Sequence, residues 1–386
     1  MALLKAARAA DVPTLDVVAP GLVVEAGTAT ASASAAVAMV KSGAAAEGGG
    51  RFSVIGHRGK GMNALASADP RMQEVRENTV RSFNDAARFP VDYVEFDVQV
   101  TKDGCPIIFH DNFIFTQQDG KISQKRVTDI NLEDFLQYGP QNEQGKVGKP
   151  LLRRLKDGRM VNWNVQSEDA LCTLQEAFEK VSPRLGFNVE LKFDDSLEYQ
   201  EEELTRILQA ILKVISEHAK DRPILFSSFQ PDAAQLMRKL QGTYPVYFLT
   251  NGGTELYTDV RRNSLEEAVK LCLASGMQGI VSEARGIFRH PGAVPKIKEA
   301  NLSLLTYGTL NNVPEAVYMQ HLMGVNGVIV DLVPEITDAV SELIALPEPD
   351  VEVDNLSNQA ARGDTTPNFS QREISFLLKL IPELVQ

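Results

Sequence analysis

The fold is decided by the stretch at residues 92–111, DYVEFDVQVTKDGCPIIFHD. Its first half is rich in β-branched and aromatic residues, the Asp-Gly pair at 103–104 is a strong hairpin signal, and an apolar return segment follows. If the turn has two residues, His110 lies opposite Asp97, and Glu95 shares the face of Asp97. Carboxylates and an imidazole on one face are costly unless they bind a cation or move protons. The structural alternative is a solvated, half-exposed strand.

Outward from this hairpin, short apolar runs alternate with longer amphipathic segments, which is typical of βα units on a parallel sheet. Eight strands, each followed by a helix, predict a TIM (β/α)8 barrel, with a doubly wound open sheet as the alternative. The predicted strands are 51–56, 92–98, 186–191, 223–228, 245–249, 279–282, 302–307 and 327–331. The predicted helices are 77–88, 172–181, 201–218, 231–241, 264–275, 292–300, 313–323 and 335–345.

The domain organisation follows from changes in composition along the chain. Residues 1–50, rich in Ala, Ser and Val, predict a flexible leader, either a transit segment or a disordered extension. The barrel domain is expected at 51–345, and the long connection at about 112–171, with anchors such as Trp163, predicts a small subdomain inserted after the strand-2 hairpin.

The remaining residues, 346–386, predict an acidic linker and a C-terminal helix. Ser370 and Glu373 form a capping box at the start of that helix. We expect the helix to dock on the barrel. A membrane or partner helix is the alternative, although its polar face has few cations for a lipid surface.

Composition limits the class of partner. The chain has 386 residues with a net charge of -12 and a pI near 5.1, which argues against a nucleic-acid partner. Its three cysteines lack metal-ligand spacing and are expected to be buried thiols in a reducing compartment. No apolar run approaches the roughly 20 residues of a spanning helix, so no transmembrane segment is expected.

Catalytic side chains in such a barrel lie at the carboxyl ends of strands and in the loops that follow. That rule selects Glu95 and Asp97 on the second strand and Glu190 at the end of the third. These hard carboxylate ligands suit Mg2+ or Ca2+ rather than zinc, because none has the His or Cys spacing that zinc prefers. The sequence therefore predicts a divalent cation held by these residues.

Fixed positive charge and imidazoles are predicted at the same mouth. Arg58 follows the first strand and Lys192 follows the third, and such cations can bind a phosphate in an otherwise acidic protein. His57 and His110 can divide the roles of general base and general acid. Together these groups predict metal-assisted cleavage of a phosphodiester. Surface or core roles are expected for the other histidines, His218, His290 and His321.

Eight segments carry a family resemblance in their order and spacing. They are GHRG at 56–59, EN at 77–78, EFDV at 95–98, TKDGCPIIFHD at 101–111, NVELK at 188–192, SSFQPD at 227–232, and LLTYGTLN with GVNGVIVD at 304–311 and 324–331. Over about 51–340 the chain resembles the glycerophosphodiester phosphodiesterases. FLTNGGTE and NSLEEAV, at 248–255 and 263–269, are similar to the plant branch of that family.

The resemblance implies a TIM barrel with an insertion after the catalytic hairpin. It also implies site roles: metal ligands at Glu95, Asp97 and Glu190, an acid/base pair at His57 and His110, and phosphate-binding residues at Arg58 and Lys192. Nothing in the sequence orders the two histidines, and our first guess is His110 as acid and His57 as base. Water and a neighbouring glycerol hydroxyl are both open as the attacking group.

Four further residues are secondary candidates. Glu77 and Asn78 open a predicted helix, where Asn would cap free N–H groups; the alternative is an indirect role in orienting the His-Arg pair at 57–58. Phe229, at the end of the fourth strand, is a candidate substrate contact. Tyr307 stands where many members of the resembled family have Trp near the end of strand seven, so an aromatic wall is retained.

The function implied is hydrolysis of small-molecule glycerophosphodiesters, such as glycerophosphocholine or glycerophosphoethanolamine, to glycerol 3-phosphate and an alcohol. This activity would serve phospholipid and glycerol metabolism and phosphate homeostasis, with Mg2+ as the expected ion and Ca2+ as the alternative. A phospholipase acting on intact or lyso-phospholipids and a non-catalytic phosphodiester-binding barrel are the competing hypotheses. The resemblance places the protein in a plastid, with the cytoplasm as the alternative.

Overall fold

The computed structural model describes residues 51–142 and 145–344. The predicted leader, the acidic linker and the C-terminal helix with Ser370 and Glu373 lie outside the described residues. Within the two described ranges, we find no helix with the length and apolarity that a bilayer crossing needs.

The barrel is formed by eight parallel strands that neighbour one another in chain order, and the last of them pairs back with the first. This closed ring of eight strands confirms the TIM barrel and excludes the open sheet. All eight predicted barrel strands are present, with ends shifted by up to two residues. The barrel strands are β1 Ser53–Gly56, β2 Tyr93–Val100, β8 Gly186–Leu191, β9 Ile224–Ser228, β10 Val246–Thr250, β11 Gly279–Glu283, β12 Ser303–Tyr307 and β13 Gly327–Val330; the others are β3 Pro106–Ile108, β4 Phe113–Gln118, β5 Lys121–Arg126, β6 Leu152–Arg154 and β7 Met160–Asn162.

Helices cover the outside of the barrel, and each of the eight predicted helical segments overlaps one, although the last helix begins two residues before its predicted segment. Two short helices, at Leu132–Leu136 and Ala284–Arg289, were not predicted. The helices are α1 Val80–Ala86, α2 Leu132–Leu136 in the insertion, α3 Leu174–Lys180, α4 Glu201–His218, α5 Pro231–Leu240, α6 Leu265–Ser275, α7 Ala284–Arg289, α8 Ala293–Glu299, α9 Pro314–Met323 and α10 Val333–Leu343; short 3-10 turns lie at Pro70–Gln73, Val127–Asp129, Val260–Arg262 and Thr309–Asn312.

Strand alternation separates the hydrophobic core from the chemistry. In β2, Val94, Phe96 and Val98 belong to the large core between strands and helices. The intervening residues Glu95 and Asp97 therefore point into the barrel, because successive side chains of a strand lie on opposite faces. An apolar layer inside the barrel, below the polar mouth, is formed by Ile55, Leu225, Leu249, Val281, Leu305 and Ile329.

The hairpin that follows β2 has a longer turn than predicted. Strand β3 pairs antiparallel with the end of β2, with Val98 opposite Ile108. This register leaves residues 102–104 as a three-residue loop, in which Gly104 has a left-handed φ of 82°. A glycine at that position is typical of three-residue hairpins, which end in a left-handed residue.

The longer turn shifts the pairing by one residue, so the predicted position of His110 was wrong. Phe109 donates its backbone N–H to the Asp97 carbonyl at 2.9 Å, which places Phe109 rather than His110 beside Asp97 on the backbone ladder. His110 lies beyond the paired strand, two residues before the insertion, and it still interacts electrostatically with Asp97.

The insertion has its own sheet and core. Strands β5, β4, β6 and β7 pair in that order as an antiparallel sheet. The core contains Phe135, Leu151 and Trp163, together with Ile107 and Phe109 from the hairpin segment. We therefore propose that residues 112–171 fold as a subdomain whose core continues into the catalytic hairpin.

Candidate active site

Three carboxylates meet inside the mouth of the barrel. Asp97 lies directly opposite Glu190 in the paired strands β2 and β8, and Glu95 lies one inward position deeper on β2. One oxygen from each residue lies within 4.8 Å of the others, and all three residues are buried. Two neighbouring strands therefore bring together the three predicted ligands that are separate in the sequence.

The electrostatics of this cluster is unfavourable for three free carboxylates. Burial and the neighbouring Asp97 raise the pKa of Glu95 to about 8. Burial also raises the pKa of Glu190, and Asp97 adds to the rise. Burial alone would raise the pKa of Asp97 as well, but His110, Arg58 and Lys192 outweigh it and lower that pKa. The Oε1 atom of Glu95 is buried and has no hydrogen-bond partner within the described part of the chain.

Arg58 is held in a strained loop at the end of β1. Its φ is 50°, in the left-handed region that non-glycine residues rarely adopt. Its backbone N–H donates to Glu95 Oε2 at 2.9 Å, and its Nη1 donates to Glu77 Oε1 at 2.8 Å. Its Nε lies 3.4 Å from Asp97 Oδ2. The loop thus directs both the backbone and the side chain of Arg58 toward the carboxylate cluster.

Lys192 supplies the second cation from the opposite side of the cluster. Its Nζ lies 3.0 Å from Glu190 Oε1 and 3.6 Å from Asp97 Oδ1. Its backbone N–H donates to the carbonyl of Val98, which extends the pairing of β8 with β2 by one residue. The two predicted phosphate-binding residues therefore flank the three predicted metal ligands.

His57 is oriented by an aspartate that follows the last strand of the barrel, β13, which pairs with β1. Its Nδ1 lies 2.7 Å from Asp331 Oδ1, and its Nε2 lies 3.9 Å from Glu95 Oε2. Asp331 in turn accepts from Asn312 Nδ2 at 2.9 Å and from the backbone N–H of Met62 at 3.1 Å. Burial alone would lower the pKa of His57, but the Asp331 carboxylate raises it, and the pKa is raised overall.

His110 has the same kind of support from a different residue. Its Nδ1 lies 2.7 Å from Oδ1 of the neighbouring Asp111. Burial, with the positive charges of Arg58 and Lys192, lowers the pKa of His110 to about 4. In both histidines a carboxylate binds Nδ1, which leaves Nε2 as the ring nitrogen available for proton transfer.

The two supporting aspartates were missed by sequence reasoning, although a signal for each was present. Asp331 is the last residue of the last predicted strand, and Asp111 is the last residue of the segment that contains His110. A carboxylate placed directly after a barrel strand or beside a candidate histidine is a candidate partner for an imidazole.

Of the two interpretations offered for Glu77 and Asn78, the helix cap was wrong, because the cap of α1 is the next residue. Thr79 caps the helix, since its side chain accepts from the backbone N–H of Ser82. Asn78, with a left-handed φ of 57°, instead donates its Nδ2 to Asp97 Oδ2 at 2.8 Å. Glu77 accepts from Arg58, so both secondary candidates contact the site directly.

The two aromatic candidates contact each other near the charged cluster. The rings of Phe229 and Tyr307 meet edge to face at 6.0 Å between centroids. The Tyr307 hydroxyl donates to the side-chain oxygen of Asn251, and burial raises the pKa of Tyr307 well above its usual value. Phe229 also lines a cavity of about 200 Å³ that reaches Glu190 and Lys192. This cavity offers room for part of a small substrate beside the charged cluster.

The remaining histidines lie away from this cluster. His321 packs edge to face on Phe52 at 5.4 Å, His218 ends α4 near Glu179, and His290 is exposed. The arrangement at the mouth, with three acidic ligands, two cations and two supported imidazoles, can neutralise a phosphodiester and move protons to and from its oxygens.

Comparison with known proteins gives a consistent result. The model of the glycerophosphoryl diester phosphodiesterase family matches residues 57–335. Glycerophosphodiester phosphodiesterase GDPD1, chloroplastic, from Arabidopsis thaliana is 60% identical over 338 residues, which cover 87% of this chain and 91% of that protein. Glycerophosphodiester phosphodiesterase GDPD2 from the same plant is 57% identical over 336 residues, covering 87% of this chain and 90% of the relative.

A solved structure extends the comparison to the fold. The phosphodiesterase of Oleispira antarctica in complex with the product sn-glycerol-3-phosphate superposes with a TM-score of 0.54 at 21% identity. The match covers 75% of this chain and 97% of that one. Because the family model spans well over half of the residues, and relatives more than half identical cover most of the chain, the protein belongs to the glycerophosphoryl diester phosphodiesterase family.

Proposed function

We propose that this chain, a phosphodiesterase by family, hydrolyses glycerophosphodiesters to glycerol 3-phosphate and an alcohol with a divalent cation held by Glu95, Asp97 and Glu190. The observation that carries the proposal is the buried cluster of these three carboxylates, with their ligand atoms within 4.8 Å. Such a cluster is costly without a cation, and the partnerless Oε1 of Glu95 provides an unused ligand atom.

The donor set fits Mg2+, which binds through a few carboxylates and completes its coordination with water and substrate oxygens. Ca2+ takes the same oxygen ligands and is the alternative. When bound, the cation supplies Lewis-acid polarisation of phosphate and hydroxyl oxygens. Glu95, Asp97 and Glu190 would hold it, and the repulsion among them would be relieved.

Arg58 and Lys192 would bind the non-bridging oxygens of the phosphodiester. Arg58 offers a planar fork of donors, and its Nε has no hydrogen-bond partner in the described ranges. Lys192 offers a point charge at the boundary between the carboxylates and the cavity lined by Phe229. Together they would stabilise the charge that develops on phosphorus oxygens during the reaction.

His57 and His110 would act as the acid/base pair. Each imidazole is held through Nδ1, by Asp331 and Asp111 respectively, so that Nε2 can exchange a proton with the attacking or leaving oxygen. A bound cation and a phosphodiester add charges of opposite sign close to both rings. Because these charges change the pKa of each ring, a leaving-group experiment is needed to decide which histidine is the acid and which is the base.

The proposed substrate class is tested by the products. With glycerophosphocholine, glycerophosphoethanolamine and glycerophosphoinositol, we expect release of glycerol 3-phosphate and the free alcohol, measured by a coupled glycerol 3-phosphate assay and by chromatography of the alcohol. The Lys192→Met variant should lose activity on every member of the panel, because it removes a charge from the phosphate site. Release of a phosphorylated head group, or preference for intact or lyso-phospholipid vesicles, would contradict the proposal.

We also propose that the protein acts in a plastid. The support is its similarity to the Arabidopsis thaliana relative named as chloroplastic. The full chain with a fluorescent reporter at its C-terminus should appear inside plastids of a plant cell, and a variant lacking residues 1–50 should not. A diffuse cytosolic signal from the full chain would remove the plastid assignment.

A further inference from the structure

Arg153 is a charged residue of the insertion that reaches into the barrel mouth. It lies on β6, is nine-tenths buried, and was not selected by any sequence motif. Its guanidinium donates to both carboxylate oxygens of Glu77, at 2.7 and 3.1 Å, and to both oxygens of Asp111, at 3.1 Å each. A fifth bond, at 3.2 Å, goes to the backbone carbonyl of Asn63.

These contacts use the whole donor capacity of the side chain. An arginine has five N–H groups in a rigid plane, and all five of Arg153 find acceptors. One face of the guanidinium is covered by Trp163, with the ring centroid 4.1 Å away. Trp163 is itself fixed by its Nε1 donating to Asn63 Oδ1 at 3.0 Å. Neither translation nor rotation of Arg153 is possible without loss of several of these contacts.

Both carboxylates that Arg153 binds are partners of active-site groups. The same Asp111 Oδ1 that accepts from Arg153 faces Nδ1 of His110 at 2.7 Å. The same Glu77 Oε1 accepts from Nη1 of Arg58 at 2.8 Å. A single carboxylate therefore links Arg153 to an imidazole of the acid/base pair, and a second carboxylate links it to a phosphate-binding cation.

Charge explains why these links depend on an arginine. Burial would raise the pKa of Glu77, but Arg153 and Arg58 hold it at about 2. Burial would likewise raise the pKa of Asp111, and Arg153 and His110 lower it. Without Arg153, two largely buried carboxylates would lose their bidentate cation, and each would be drawn toward its remaining partner or toward solvent.

We propose that Arg153 is a positioning residue for His110, acting through Asp111, and that the insertion thereby completes the active site. This inference rests on the proposed function, in which His110 belongs to the acid/base pair. It assigns the insertion a role in the chemical step, in addition to its own packing. The second link, through Glu77 to Arg58, should contribute to substrate binding.

The test is a double-mutant cycle between Arg153 and His110, read in kcat. Arg153→Met should lower kcat by about 10- to 100-fold, the size typical for outer partners of active-site histidines. In the His110→Ala background, the same substitution should lower the residual kcat by less than about 3-fold, because the group it positions is gone. Arg153→Lys keeps the charge but has three donors, so its loss should be intermediate.

Arg76→Met is the matched control. Arg76 also faces Trp163, at 5.1 Å, and ties the barrel to the insertion through Glu168 at 2.6 Å, but it has no bond to Glu77 or Asp111. We expect this variant to lose thermal stability while kcat stays within about 3-fold of the unsubstituted enzyme. Circular dichroism and thermal melts identify variants that fold, and Arg153→Lys replaces Arg153→Met in the cycle if the latter does not fold.

The outcomes distinguish failure of the positioning role of Arg153 from failure of the acid/base role of His110. If Arg153→Met lowers kcat equally in both backgrounds, Arg153 does not act through His110 and the inference is wrong. If Arg76→Met lowers kcat as much as Arg153→Met, the effect comes from loosening the insertion, and the inference is again wrong. If His110→Ala alone retains full activity, the proposed acid/base role of His110 fails instead.

Discussion

Excess chelator is expected to abolish turnover of glycerophosphodiesters, and added Mg2+ is expected to restore it. The physical reason is the repulsion among Glu95, Asp97 and Glu190, whose ligand atoms lie within 4.8 Å of one another in a buried site. Without the cation, burial and Asp97 hold the pKa of Glu95 near 8, so the cluster retains a proton at neutral pH. The substrate phosphate would then also lack the cation that polarises its oxygens.

A variant series locates this requirement in the cluster. Glu95→Gln keeps the shape of the side chain and removes its charge, and it should raise the Mg2+ concentration for half-maximal activity by about 100-fold or more. Glu335→Gln is the control, because Glu335 is a partly exposed carboxylate that pairs with Arg71 at 2.7 Å and does not belong to the carboxylate cluster. Titration with Ca2+ under the same conditions ranks the two ions. Full activity in a chelated, metal-free preparation would refute the site model.

The His57→Ala and His110→Ala variants are each expected to lose about 10²- to 10⁴-fold in kcat, which is the usual contribution of a positioned proton-transfer group. Both should fold, because both histidines lie at the barrel mouth outside its packed apolar layer. Single-turnover kinetics at saturating Mg2+ measures the loss without interference from metal binding. His290→Ala, at an exposed histidine, is the matched control and should retain full activity.

A change of leaving group orders the two roles. A p-nitrophenyl phosphodiester of glycerol needs no proton on its leaving oxygen, so it should restore activity only in the variant that lacks the general acid. Rescue of His110→Ala would agree with our first guess from the sequence, and rescue of His57→Ala would reverse the roles. Wild-type activity in either single variant, on the natural substrate, would refute the acid/base assignment.

The barrel was predictable because its signal is local. Each strand is a short apolar run, and each helix is a longer amphipathic segment, so the alternation between them is visible without any tertiary information. The residues at the strand ends then follow from the geometry of a closed barrel, which is how Glu190 and Lys192 were found together with Glu95 and Asp97.

The predictions of the hairpin register and of the helix cap were wrong because they depend on local details that hydrophobic periodicity does not contain. The turn after β2 has three residues: Gly104 has a left-handed φ but Asp103 does not, whereas a two-residue type I′ turn needs both, and the extra residue moves His110 off the ladder. The helix cap is Thr79 rather than Asn78, because the Asn78 side chain donates to Asp97 instead. The sequence does not show that Asp97 lies within reach of Asn78.

Arg153 had no sequence signal at all. It lies on a strand of three residues inside the long insertion, and it is 76 positions from Glu77 and 42 from Asp111 along the chain. Its importance comes from two carboxylates whose relative position is set only by the folded barrel. Contacts of this kind, between residues of a long insertion and residues of the barrel, cannot be predicted from a single sequence.

The contact between His57 and Asp331 has a consequence for how the enzyme acquires activity. The two residues are separated by 274 positions, and they adjoin the first and last strands of the barrel, which pair with each other to close it. Contacts between distant parts of a chain form late, since a large loop must be ordered first. A nascent or refolding chain should therefore gain hydrolytic activity only after the first and last strands have paired to close the barrel.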